Sequence, residues 1–419
     1  MKRREFLKAA GAGVALTAFG ASQMKTATFA RAGGTPKVNP RTFVSGREDG
    51  RFVQTAGFLH RQLQTLRPQL EFRADMTRQE FALWQTQVRE KLAELMAFPE
   101  VPPQPEPKRI WARQRDGYRL ERWEAYPEPF CVVPFYLLVP DGVSQRSPAP
   151  AVLCFPGSTG SKEALAGEPE LGQTTIPNDP KWLDNRMAYH YARRGMIAVA
   201  FDSPATNELA GAPGEPAPNR NILSLYAVWM GRSYEAISVF QKAHVLHWLA
   251  RQPFVDAGRI AVSGHSLGAK PADLLAVLYP QLIRAVVHND FVCHWQERAV
   301  ALNLYDPGAH QVVPGLLRWF DYTDLQAALA PRPLLFTEGG RAKHIAKIRR
   351  AYELCGASDA MQVFHYEKYS DPKTRTLDEV ELPIGITMEQ YFEYAYVDPA
   401  THRFRPTVAV PWLAKVFGL

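Results

Sequence analysis

The chain has 419 residues, 46% hydrophobic and 22% charged, with 28 Gly and 34 Pro. This globular composition suits one large domain with additions, or two domains. It excludes disorder as the main state, because such apolar content offsets the entropy of ordering. No apolar run reaches the roughly 18 residues that a membrane-spanning helix needs. The net charge of +7 sits at the N-terminus: residues 1–32 hold Lys2, Arg3, Arg4, Lys8, Lys25 and Arg31 against Glu5 alone, which leaves +2 for the rest. So neutral a remainder argues against a nucleic-acid partner.

The first segment, MKRREFLKAAGAGVALTAFGASQ, pairs two arginines with a small-residue apolar stretch from Ala9 to Ala21. It resembles a twin-arginine export signal, and Ala30-Arg31-Ala32 offers a cleavage site. The stretch is too short for a membrane anchor. The resemblance implies a mature chain starting near Gly33, a periplasmic or secreted location, and the twin-arginine export machinery as partner of residues 1–32. Residues 33–48, rich in Gly, Pro and Arg, read as a linker. From 49 to 98 the pattern is helical, with Phe81, Trp84, Val88, Leu92 and Leu95 at three- and four-residue steps. PEVPPQPEPK (99–108) ends it. An N-terminal helical extension over 49–108 and a larger domain over 109–419 follow.

Past that boundary the pattern alternates. Apolar, strand-like runs occur at 118–125, 131–139, 150–155, 196–202, 259–263, 284–288, 333–337 and 361–367. Helical stretches lie at about 181–194, 231–252, 268–279, 343–355 and 407–417. Short apolar runs separated by helices predict an α/β fold with a mostly parallel sheet covered on both faces. Cys131, Cys154, Cys293 and Cys355 form no C-x-x-C pair and read as buried thiols, without a metal or redox role.

GRIAVSGHSLGAKPADLLAVL (258–278) carries chemistry. Gly264-His265-Ser266-Leu267-Gly268 is a G-x-S-x-G pentapeptide, weak alone. A strand-like RIAVS leads in and an apolar helix leads out, which together make a nucleophile elbow; its tight turn needs small flanks so that the Ser266 hydroxyl stands clear. A serine also needs a base and an oxyanion site. AVLCFPGSTGSKE (151–163) is a strand and loop in the place where α/β-hydrolases donate one backbone N–H. Ser158 or Thr159 would supply it, and Leu267 the other.

The base is expected late in the chain, since this fold orders its triad Ser, acid, His. His402 lies in the loop before the last helix and fits. His365 falls in a strand-like run, and His344 opens an amphipathic helix where solvation is expected. For the acid, Glu338 follows the strand 333–337, while Asp290 follows 284–288. Glu338 stands first by position and Asp290 second; either could orient the imidazole and stabilise its cation. His244 and His247 make an H-x-x-H pair without an acidic third ligand, so no metal is expected. Asp202 reads as a structural aspartate at a strand end. Trp111, Trp229 and Trp295 are core candidates that could also stack on a sugar.

With these residues in place, the chain resembles bacterial α/β-hydrolases of the dienelactone-hydrolase-like and acetyl-xylan-esterase-like groups over roughly residues 80–419. The likeness rests on WQTQVREKLAEL, FPGSTGSKE, WMGRSYEAISVFQKAHVLHWL, VDAGRIAVSGHSLGAK and APRPLLFTEGG. It implies a Ser-His-acid esterase acting on acylated carbohydrates or other small carboxylic esters, with no metal and no organic cofactor. Lys270, four residues after Ser266, is also similar to the lysine by which glucuronoyl esterases contact the sugar, although the arginine that usually follows their nucleophile is absent. Arg341 and Ala342 stand where family members commonly carry an Asp. Peptidase and thioesterase chemistry share this machinery, and a binding protein with a broken triad keeps the fold.

Overall fold

The computed structural model describes residues 43–172, 180–211 and 218–419. The expected export signal (1–32) and most of the expected linker (33–48) lie outside the described residues. Nine strands form one sheet: β1 (Lys108–Arg115), β2 (Tyr118–Ala125), β3 (Val133–Pro140), β4 (Ala149–Phe155), β5 (Ile197–Phe201), β6 (Val255–His265), β7 (Ala285–Asn289), β8 (Leu334–Phe336) and β9 (Met361–Val363). Their order is β1-β2-β3-β5-β4-β6-β7-β8-β9. The pairs from β1 to β5 through β3 are antiparallel, and those from β5 to β9 through β4 are parallel. β1 escaped the sequence reading because KRIWARQR is an edge strand with mostly exposed side chains, so it shows no apolar run. Its four basic residues suit an edge that must not pair with other chains. β9, at the other edge, ends at Val363, short of the expected 367.

Among the described residues the helices are α1 (Thr55–Thr65), α2 (Arg78–Met96), α3 (Lys162–Ala166), α4 (Pro180–Asp184), α5 (Met187–Arg193), α6 (Arg220–Trp229), α7 (Tyr234–Leu249), α8 (Ala269–Leu278), α9 (Trp295–Ala301), α10 (Tyr322–Ala327), α11 (Ala342–Leu354), α12 (Met388–Tyr394) and α13 (Pro406–Phe417). The helix expected over 181–194 is broken into α4 and α5. None is long and apolar enough to cross a membrane.

The parallel strands are buried on both faces, and alternate residues feed two separate cores. Leu153, Phe155, Val199, Phe201 and Val262 face α2, α7, α8, α10 and α11. Val152, Cys154, Ala198, Ala200 and Ala261 face α5 and α13. That alternation is the two-residue repeat of a strand, and each large apolar side chain so covered contributes roughly 1.5–3 kcal/mol. α2 opens on a capping box between Thr77 and Glu80. It then buries Phe81, Trp84, Val88, Leu92 and Met96 in the first core. The N-terminal helical segment is thus built into the main core.

The loop after β4 is fastened by charge. Ser161 caps α3, and the Lys162 backbone N–H donates to Asp202 at the end of β5 (2.9 Å). The fully buried Lys162 ammonium meets Asp202 at 2.9 Å, Glu163 at 2.8 Å and Glu208 at 2.7 Å. Asn207 donates to Gly160 O (2.9 Å) and so ties the loop to the same cluster. Asp202 is therefore the structural aspartate that its position suggests. Removing one partner of a buried ion pair typically costs about 3–5 kcal/mol, because the other charge stays buried. Lys162→Met is expected to lose stability on that scale in chemical denaturation.

Candidate active site

Ser266 sits between β6 and α8 with φ at +52°, a left-handed backbone that non-glycine residues rarely adopt. The flanking glycines make this turn possible. A Cβ on Gly264 would lie 2.2 Å from Gly268 O, and one on Gly268 would lie 2.4 Å from Phe155 O. Both obstacles are backbone and cannot give way. The turn lifts the Ser266 side chain to the C-terminal edge of the sheet, at the start of a helix without a side-chain N-cap. Free N–H groups and the helix dipole there favour negative charge.

The loop expected to hold the oxyanion packs against this turn. A Cβ on Gly157 would come 2.9 Å from His265 Nδ1 and 3.4 Å from Ser266 Cβ. A hydrogen bond from Gly160 N to Gly157 O closes the loop. Pro156 to Gly160 line a cavity of about 220 Å³ together with His265, Ser266 and His402. Ser158 also borders a second cavity, of about 310 Å³, with Ser266, Leu267, Lys270, Asp290 and His402. Ser266 and His402 thus stand together where the two cavities meet.

His402 is held by the residues around it. Asn289 binds Arg403 O (2.9 Å) and Arg405 N (3.0 Å), while Asn185 accepts from Phe404 N (2.7 Å). Its Nδ1–H donates to Glu338 Oε2 at 2.7 Å, and the other Glu338 oxygen faces Arg403 N at 3.4 Å. Glu338 is fully buried. The two glycines that follow it have positive φ. A Cβ on Gly339 would meet the His365 ring at 2.2 Å, and one on Gly340 would meet Val292 O at 2.7 Å. Val292 bridges to Gly340, which sets the loops after β7 and β8 side by side. Asp290, Glu338 and His402 consequently each place a ligand-type atom within 4.8 Å of the others. Both candidate acids surround one imidazole, and the short bond goes to Glu338. These three residues are also a group that could hold a cation, but the His402 nitrogen that would bind it is engaged by Glu338.

Electrostatics follow from this crowding. Burial pulls the His402 pKa down, but the carboxylates of Glu338 and Asp290 more than offset it and lift it to about 9. Burial pushes Glu338 up against the opposing pull of His402. Tyr366, absent from the sequence reading, lies with its hydroxyl 3.2 Å from His402 Nδ1 and hydrogen-bonds Glu338. His265 is held neutral by burial and by His402.

Other expectations sort by position. Lys270 and Trp295 line the larger cavity; Trp229 lies exposed on α6, and Trp111 on β1 packs at a tilt against Tyr136 of β3. His344 is a correction: instead of facing solvent it is buried, stacked on His294 and 3.2 Å from Glu297. His365 lies past the end of β9. Arg341, in place of the usual Asp, pairs with Glu297. His288 bonds the buried Asp273 at 2.8 Å on the cavity wall, a dyad with no sequence signal. Cys154 and Cys293 are buried, Cys131 and Cys355 half-buried, and all four are free thiols.

A parallel sheet carrying a left-handed serine turn, a loop after β4 and a histidine–carboxylate pair after the later strands defines an α/β-hydrolase. The chain belongs to the Abhydrolase family, whose model matches residues 37–415. It is similar to a Bacteroides fragilis protein provisionally described as an acetyl xylan esterase: 38% identity over 89% of this chain and 98% of the other, with a TM-score of 0.82. It also shares its fold with the methylesterase BT1017, at 19% identity and TM-score 0.52, over 75% of this chain and 64% of that one. No protein among the curated sequences matches it.

Two outcomes follow. Gly268→Ala, whose new methyl has no space, is expected to lose at least about 1–3 kcal/mol in denaturation, whereas Gly46→Ala, in open space, stays near the parent. In an NMR titration of histidine-labelled protein, His402 should keep its proton to about pH 9, and Glu338→Gln should lower that value more than Asp290→Asn.

Proposed function

We propose that the protein is an exported serine hydrolase that cleaves carboxylic esters, with acylated carbohydrates as its substrate class. The observation that carries this reading is Ser266 on its left-handed turn, sharing a cavity with a histidine bound at 2.7 Å to a buried carboxylate. The provisional description of the Bacteroides fragilis relative supports the substrate class, and the leader supports export.

In this reading Ser266 Oγ attacks the ester carbonyl while His402 Nε2 takes its proton. The backbone N–H of Leu267 and one from Ser158 or Thr159 receive the oxyanion, assisted by the N-terminus of α8. His402 returns the proton to the departing alcohol. An acyl-enzyme remains, and water activated by the same imidazole releases it. Glu338 fixes the tautomer through Nδ1–H and stabilises the imidazolium; Tyr366 steadies Glu338. Asp290 adds negative potential beside the ring. The Glu338 bond argues against a broken triad, since it supplies the acid that Arg341 does not. Every step runs on the chain's own side chains and backbone N–H groups and on water, with no metal or organic cofactor assigned to it.

Hydrolysis of nitrophenyl acetate tests the reading. Ser266→Ala should lose at least about 10³-fold in kcat. Glu338→Ala should lose about 10²–10⁴-fold and Asp290→Ala much less; the reverse order would move the acid to Asp290. The base works only when neutral, and its resting pKa is raised to about 9. In the parent enzyme kcat/KM should therefore climb between pH 7 and 9, and Glu338→Gln should shift that limb to lower pH while lowering its plateau.

A further inference from the structure

The larger cavity holds two basic side chains that form no ion pair with a carboxylate of the described residues. Lys270, in the first turn of α8, is buried. Its ammonium donates to Gln311 Oε1 (2.6 Å) and lies 4.1 Å from the centre of the Trp295 ring. Arg298, on α9, lines the same cavity, with its guanidinium 4.9 Å from the ring centre of Tyr305, 5.2 Å from Trp295, 5.3 Å from Tyr391 and 5.8 Å from Phe291. Its polar partners are weak. Nη2 meets the Met388 thioether at 3.4 Å, the neighbouring Cys293 thiol is kept neutral by burial, and the enclosed Nε has no hydrogen-bond partner. Among the described residues, no Asp or Glu oxygen lies within 4.0 Å of either cation. Glu297, next in sequence to Arg298, is taken by Arg341, Lys343 and His344. Glu235 and Asp290 reach Lys270 only through space.

This arrangement is costly unless something completes it. Withdrawing a guanidinium from water is costly, and stacking on aromatic rings returns only part of that cost. The planar fork of an arginine matches a carboxylate in two parallel hydrogen bonds. The cavity also carries Asp290 beside His402, with Glu338 buried behind them. Arg298 and Lys270 thus offer cationic partners to an anionic group of a molecule held in the cavity that Ser266 also lines.

We propose that Arg298 and Lys270 form a subsite for a carboxylate that the substrate carries in addition to the ester being cleaved. This deepens the esterase reading and rests on it. The carboxylate belongs either to the acyl group, as in the half-ester of a dicarboxylic acid, or to the alcohol, as in a uronic acid unit. Arg298 is then the specificity-determining residue.

Calorimetry on full-length Ser266→Ala protein separates the two sources without requiring turnover. Methyl glucuronoside is compared with methyl glucoside, and monomethyl succinate with methyl butyrate. The charged member of one pair should bind about tenfold more tightly or better, and the preference should shrink as salt is raised. A preference in the first pair places the carboxylate on the alcohol, and one in the second places it on the acyl group. Arg298→Met should erase the preference and Arg298→Lys should restore part of it. Equal binding within both pairs, or a preference that survives Arg298→Met, overturns the proposal. If Arg298→Met does not fold, the preference of the Ser266→Ala protein and its salt dependence decide the matter. Nitrophenyl acetate hydrolysis by the parent enzyme is scored separately. If that activity is absent while the charge preference persists, the esterase reading fails and the subsite stands.

Discussion

The constraint on which the site depends is the backbone of Ser266. At φ +52° the residue is held in a conformation that costs of order 1–3 kcal/mol, and the surroundings must over-determine it. They do so by contact. The space beside Gly264 is filled by the Gly268 carbonyl, and the space beside Gly268 by the carbonyls of Phe155 and Pro156. β6 and β4, neighbours in the sheet, are therefore locked at the point where both end, and the loop after β4 is pressed onto the serine turn. The buried charge of Lys162 with Asp202 fixes that loop from behind. Strain at one residue is sustained by packing spread over three strands.

The same strand ends set the electrostatics. β7 and β8 are adjacent, and the Val292–Gly340 bridge carries their alignment past the sheet, so two carboxylates reach one imidazole. In the larger cavity, α8 and α9 bring a lysine and an arginine to the ring of one tryptophan, Trp295. The cavity thus holds Asp290 beside His402 and two basic side chains on the Trp295 ring. A neutral ester has no need of these two basic side chains, whereas a substrate with its own negative charge would be oriented by them.

How much of this could be read from the sequence depended on how local each signal is. Ser266, Leu267 and the 156–160 loop belong to short motifs whose glycines and flanking apolar runs are adjacent in sequence, so they were legible. His402 was legible through chain order. The carboxylate partner of His402 was only half legible, because Glu338 and Asp290 follow neighbouring parallel strands and both loops lead to the same place. Distance separates them, and distance is a property of the folded loops. Tyr366, the His288–Asp273 dyad and Arg298 were not legible at all. The partners of Tyr366 and His288 lie 15 or more residues away, and Arg298 sits on the seven-residue α9, which is too short to show a period. His344 was misread for the same reason: its helix looks amphipathic, yet His294 and Glu297 from another segment cover it. β1 was missed because an exposed edge strand has no apolar pattern to find.

The central claim is that Ser266 is a nucleophile activated by His402. The most direct measurement is intact-protein and peptide mass spectrometry after treatment with a fluorophosphonate, which forms a covalent adduct only with an activated serine. The account predicts a single adduct on the peptide bearing Ser266, with none in Ser266→Ala and much slower labelling when His402 is replaced by Ala. Labelling elsewhere, or none in the parent protein, would contradict it.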